Sequence, residues 1–256
     1  MRKRLLSFLI TGGLLTLAVG APVWPQTFPA PGPNVPHAHV SGGPALDENA
    51  STLCSSLCPG TPESVSVSFT STAGTHIIVW GSWCDRSDCG VGVNGTDISS
   101  VSDGSNAFVQ KKIVASGVDV GLYLYEATYS TGGTHTITLT FSSGIATIYY
   151  ATLLVSSWTN LASGDALDQF GSGSGTGTNG GCTTGGNLGQ SNELVLGYMS
   201  NGGQAASAGS GFTAVNNPTT GIVDENRIGG ASGSTVSTPF VSASAKWSTE
   251  CSTWLP

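Results

Sequence analysis

Alternation with a period of two residues constrains this chain more than any other feature. In Ser64-Val65-Ser66-Val67-Ser68-Phe69-Thr70 every second side chain is apolar, the pattern of a half-buried β-strand that turns Val65, Val67 and Phe69 toward a core. Comparable windows follow at residues 75–83, 106–115, 118–128, 134–141, 145–158, 193–200, 221–228 and 235–247, divided by Gly, Ser, Asn and Asp clusters. Only 9% of residues are charged and 37 are Gly. Helical stretches of Ala, Leu, Glu and Lys are missing, which disfavours a helical protein. The reading is an all-β, antiparallel β-sandwich rather than an α/β enzyme.

Upstream of the strands the text differs. Arg2, Lys3 and Arg4 precede an apolar run over residues 5–18, so residues 1–20 read as a signal peptide cut after Gly20. The run is shorter than the roughly 20 residues that span a bilayer, and no cysteine ends it to accept a lipid. A secreted, extracellular chain is expected. Residues 21–63 form a proline-rich leader holding Cys54 and Cys58, with seven of the 12 prolines between Pro22 and Pro44; such a segment should be extended. Its His37 and His39 read as solvated histidines. Residues 64–256 are then a single sandwich domain. Within it, residues 171–190 (GSGSGTGTNGGCTTGGNLGQ) read as a long loop tethered by Cys182.

Removing the three leader charges leaves 8 − 3 = 5 basic against 15 acidic residues, a mature formal charge of −10. Arg86, Lys111, Lys112, Arg227 and Lys246 are scattered, which argues against nucleic acid and anionic membranes as partners. Six cysteines in an exported chain suggest disulfides. Cys84–Cys89 is expected across a polar turn, Cys182–Cys251 as a tether for the loop, and Cys54–Cys58 as the remaining pair. Zinc is disfavoured by the C-x3-C and C-x4-C spacings.

Several short words in this order carry a resemblance: Ser102-Asp103-Gly104-Ser105-Asn106, Asn192-Glu193-Leu194-Val195-Leu196-Gly197-Tyr198, Gly209-Ser210-Gly211-Phe212-Thr213, Asp224-Glu225-Asn226-Arg227 and Gly233-Ser234. Over residues 64–255 the chain resembles bacterial secreted or cell-surface β-sandwich modules of jelly-roll-like form. The resemblance implies adhesion, glycan contact or structural spacing, and brings no catalytic residues. The cysteines at 54/58 and 84/89 lie outside that pattern.

No catalytic constellation stands out. Gly171-Ser172-Gly173-Ser174-Gly175 matches the letters of a nucleophile elbow but sits in a Gly/Ser tract. His76 and His135 begin strands, where edge packing or solvent exposure is expected. Asp165 with Asp168 and Asp224 with Glu225 are the carboxylate clusters that a glycosidase would need. No cofactor is expected; calcium is the one candidate, on Asp165, Asp168 and Asp224. Glu225 alternatively pairs with Arg227 on one strand face. Asn49-Ala50-Ser51 and Asn94-Gly95-Thr96 fit glycosylation acceptors but are expected to be unmodified.

Residues 118–128 and 134–141 are expected to form a hairpin through a Gly132-Gly133 turn with positive φ. That register sets Ala127 opposite Thr138 and Tyr125 opposite Thr140, with Leu124 facing Phe141 and Glu126 facing Leu139 on the core side. Tyr123, Tyr125, Thr138 and Thr140 then become a candidate sugar-binding face. The expected function is a non-enzymatic extracellular sandwich contacting a surface or carbohydrate. Its rivals are a subunit that self-associates by strand addition and a secreted hydrolase.

Overall fold

A computed structural model describes residues 42–54, 58, 63–84, 96–115, 120–128, 130–143, 147–201, 204–215 and 222–256, all in a unit spanning His37–Pro256. Those residues contain strands and no helix, and every strand pair is antiparallel. The strands are β1 (Ala45–Cys54), β2 (Ser64–Ser71), β3 (His76–Cys84), β4 (Ile98–Ser102), β5 (Val109–Ala115), β6 (Gly121–Ala127) and β7 (Gly133–Phe141). They continue as β8 (Tyr150–Thr159), β9 (Leu167–Thr183), β10 (Leu194–Ser200), β11 (Ala206–Ala208), β12 (Thr213–Ala214), β13 (Ile222–Ile228) and β14 (Ser237–Trp254).

Three sheets result. The central one has the order β1-β8-β3-β6-β5 and the outer one β2-β7-β4, while the third holds β11-β14-β10-β13-β12 with β9 on β14. Side-chain alternation explains the stacking. In β3, Ile77, Val79 and Trp83 turn to a core shared with Val65, Phe69, Ile137, Leu139 and Phe141 of the outer sheet. Ile78 and Trp80 turn the other way, to a second core with Leu194, Leu196, Tyr198 and Trp254 of the third sheet. The central sheet is therefore apolar on both faces, and each face requires a cover.

The expected hairpin does not form. Gly132 and Gly133 do have positive φ, 75° and 97°, but β6 pairs with β3 and β5 whereas β7 pairs with β2 and β4. The chain leaves the central sheet after Ala127, bonds the β2–β3 turn through Ser130 N to Thr75 O (2.9 Å) and Gly74 N to Ser130 O (2.9 Å), and enters the outer sheet. The register argument failed because it assumed one buried face on β6. Leu122, Leu124 and Glu126 and, opposite them, Tyr123, Tyr125 and Ala127 are all buried.

Most of the glycine-rich tract is not a loop: of residues 171–190 only 184–190 lie outside a strand. Residues 167–183 are β9, paired along its length with β14 from Leu167↔Trp254 to Thr183↔Ser237. This ribbon folds back on itself. Cys182 lies opposite Thr238, thirteen residues from Cys251 along β14, or about 43 Å in a straight strand; yet Cys182 and Cys251 are disulfide-bonded with Cα atoms 5.8 Å apart. The two arms meet on the glycine side: a Cβ at Gly173 would sit 2.7 Å from Gly181 O, and one at Gly180, which pairs with Phe240, 3.3 Å from the Trp247 ring. The folded arm covers the far side of the third sheet, where Met199, Val223 and Phe240 form a smaller cluster.

Cys54–Cys58 is also bonded, with Cα atoms 5.4 Å apart. Cys84 is buried and disulfide-bonded, and its expected partner Cys89 lies outside the described residues, as do residues 1–41, Arg86, Asn94 and Tyr129. The sheet starts earlier than the change of text at Ser64, because β1, inside the expected leader, pairs with β8. As an edge strand that is at most half-buried, it shows no apolar alternation to read. No helix of the described residues is long and apolar enough to cross a membrane.

Candidate functional site: a hydroxyl face and buried acids

The four residues of the expected sugar-binding face separate. Tyr123 and Tyr125 belong to the core under the outer sheet, 0% and 5% exposed, and offer no ring to a sugar. The Tyr123 hydroxyl donates to Thr152 O, and burial pushes the Tyr125 phenol up to about 12. Thr138 and Thr140 lie on the other surface of the outer sheet, turned away from that core.

There they join a face made of hydroxyls alone. Each strand of the outer sheet places its apolar residues inward and Ser or Thr outward, so Ser64, Thr140 and Ser100 form one cross-strand row and Ser66, Thr138 and Ser102 the next. Ser68 with Thr136 and Thr70 with Thr134 extend it. Side chains bridge within rows, Ser66 to Thr138 at 2.8 Å and Thr70 to Thr134 at 3.1 Å. Strand geometry spaces neighbours about 4.8 Å across and roughly 6.8 Å along the sheet. The Ser partners were visible in the alternation of β2; assigning Thr136, Thr138 and Thr140 to a hairpin with the tyrosines hid them.

His76 and His135 are neither exposed nor idle. His76 Nδ1 lies 2.7 Å from Glu126 Oε1, and Lys111 Nζ bridges Glu126 Oε2 (2.8 Å) and Asp165 Oδ1 (2.9 Å). A register shift between Gln110 and Lys112 aims Lys111 inward. Burial works to lower the Lys111 pKa, but the two carboxylates outweigh it and hold it raised. Glu126, an acid in an otherwise apolar stripe, thus has two partners. His135 Nδ1 lies 3.1 Å from Asp103, whose carboxyl also accepts the Ser105 and Asn106 amides.

The carboxylate clusters do not act as pairs. Asp224 and Glu225 are adjacent on β13 and face opposite sides: Asp224 accepts the Trp80 indole N–H (3.3 Å), Glu225 the Gly209 amide (2.6 Å). Burial raises the Glu225 pKa to about 7 against the opposing pull of the Gly209 amide and of Arg227, two residues along β13, which stacks on Phe212 at 4.8 Å. Asp165 turns to Lys111, while Asp168 accepts the Gly189 amide (3.0 Å). Ser172 and Ser174 of the elbow-like letters are exposed on β9, with no sharp turn between strand and helix.

Between the central and third sheets the Tyr198 hydroxyl meets Ser82 Oγ (2.7 Å) and Thr152 Oγ1 (2.9 Å). Beside it Glu250 is fully buried with neither oxygen hydrogen-bonded, and burial pushes its carboxyl far above the usual range. No group of three or more His, Cys, Asp or Glu able to hold a metal occurs among the described residues. Comparison with protein-family models, with curated proteins and with solved structures finds no match to this chain.

Proposed function

We propose that this protein is a non-enzymatic extracellular module that contacts an uncharged, hydroxylated surface, such as an insoluble polysaccharide, through the outer face of the β2-β7-β4 sheet. The observation that carries this reading is that face itself: three strands of outward Ser and Thr without a charge or an aromatic ring. Without rings there is no stacking platform for a single sugar. A repeated array of donors and acceptors instead favours an extended partner that engages many weak hydrogen bonds together. The leader, the disulfides and the low basic charge agree with action outside the cell.

Cosedimentation with cellulose and chitin tests the reading. Wild-type protein should partition with at least one of them, and Thr136→Lys with Thr138→Lys should abolish partitioning. Thr176→Lys, on the exposed hydroxyl side of β9, should leave it intact. Equal partitioning of all three proteins would overturn the assignment of the face.

A further inference from the structure

Asp168 and Glu193 are held together by the fold without a basic residue between them. Asp168 is the unpaired residue of a bulge, since Leu167 pairs with Trp254 and Gln169 with Thr253. Glu193 immediately precedes β10. Consecutive amides of one turn fix both carboxyls: Gly189 N donates to Asp168 Oδ2 at 3.0 Å and Gln190 N to Glu193 Oε1 at 2.8 Å. A Cβ on Gly189 would sit 3.6 Å from both Asp168 oxygens and from Glu193 Oε1, so three carboxylate oxygens converge on that side of the turn.

Burial raises the Glu193 pKa, and the neighbouring Asp168 carboxyl adds to that rise. Glu193 is 0% exposed, its Oε2 has no hydrogen-bond partner, and none of the ion pairs among the described residues involves either acid. Two carboxylates so placed repel unless a proton or a cation lies between them. Asp168 is only half-buried, which leaves an approach from solvent. The Thr253 hydroxyl accepts the Gln169 amide (3.2 Å) and, by donating to Glu193, works against the rise in the Glu193 pKa.

We propose that Asp168 and Glu193 bind a hard divalent cation of the calcium class, with water completing the six to eight oxygens that such an ion takes. The site is separate from the hydroxyl face. It would tie β9 to the start of β10, close to where the ribbon's outer arm ends. Asp165 and Asp224 do not contribute, being turned to Lys111 and Trp80.

The test is thermal unfolding of the purified, chelator-treated protein at about pH 8, with and without roughly 5 mM CaCl2, alongside calorimetric titration with CaCl2. Wild type and Asp165→Asn should gain about 3 °C or more with calcium and show a saturable heat. Asp168→Asn and Glu193→Gln should gain nothing, while their melting points in chelator equal or exceed that of wild type because the repulsion is gone. Calcium that shifts wild type no more than Asp168→Asn, with no saturable heat, overturns the proposal. A wild-type melting point in chelator that then rises as pH falls from 8 to 5 would identify a shared proton in place of the ion.

Discussion

Gly173→Ala discriminates between the folded ribbon and a flexible glycine tract by the size of its effect. In a segment as free in the folded protein as in the unfolded chain, Gly→Ala restricts both states alike and changes stability by less than about 0.5 kcal/mol. In the folded ribbon the new methyl would lie 2.7 Å from Gly181 O and 3.1 Å from Thr249 Oγ1. Real contacts need roughly 3.4 Å or more, so the arms must part by several tenths of an ångström. They are joined there by the Thr249 hydroxyl, which contacts Gly181 O at 2.9 Å and Gly173 O at 3.3 Å, and by the Cys182–Cys251 bond. Overpacking of this kind costs about 1–3 kcal/mol. Urea unfolding followed by tryptophan fluorescence, disulfides intact, should show a lower midpoint at unchanged slope. Ser174→Ala, one residue along and exposed, should shift stability by less than about 0.5 kcal/mol. A Gly173→Ala protein as stable as wild type, or more so, would refute the folded ribbon.

Two further predictions concern the same sheet. Replacing Cys182 and Cys251 together by Ala opens a link of sequence separation 69 and should lower stability by up to about 4 kcal/mol by loop entropy, read as the difference in urea unfolding free energy; a loss below about 1 kcal/mol would mean the arms hold without the staple. Burial, with a smaller contribution from Asp224, raises the Glu225 pKa from 4.5 to about 7 despite the Gly209 amide and Arg227. The protonated form is therefore the one the fold prefers: its stabilising effect is complete below about pH 4.5 and lost as pH rises through about 7. Glu225→Gln should match wild type at about pH 4.5 and exceed it at about pH 8 by roughly 1–2 kcal/mol, the full shift being reduced by solvent screening. A stability gap that does not widen with pH counts against it.

Local pattern was sufficient for much of the fold. The alternation in β2 put Val65 and Phe69 in the core as expected, with Val67 packed partly against it, and the absence of helical windows gave the all-β class. The Cys182–Cys251 and Cys54–Cys58 pairings were also readable, because an even cysteine count leaves few sensible partners near strand ends. Gly132 and Gly133 were correctly assigned positive φ, since that depends only on the missing Cβ.

What the sequence left undecided was which sheet each strand joins, and every functional feature depends on it. A period of two says which side chains share a face but not what covers that face. β6 is buried on both faces, so its tyrosines matched β7 on paper while packing beneath it in the molecule. The glycines of β9 looked like a loop because their partner is the backbone of a distant segment, brought over them by a fold-back that no local signal encodes. Glu126 looked out of place until β3 and β5 delivered His76 and Lys111 to it. The hydroxyl face and the Asp168–Glu193 pair likewise arise only when strands far apart in the chain are laid side by side, because cross-strand neighbours are set by sheet order, a property of the whole fold rather than of any segment.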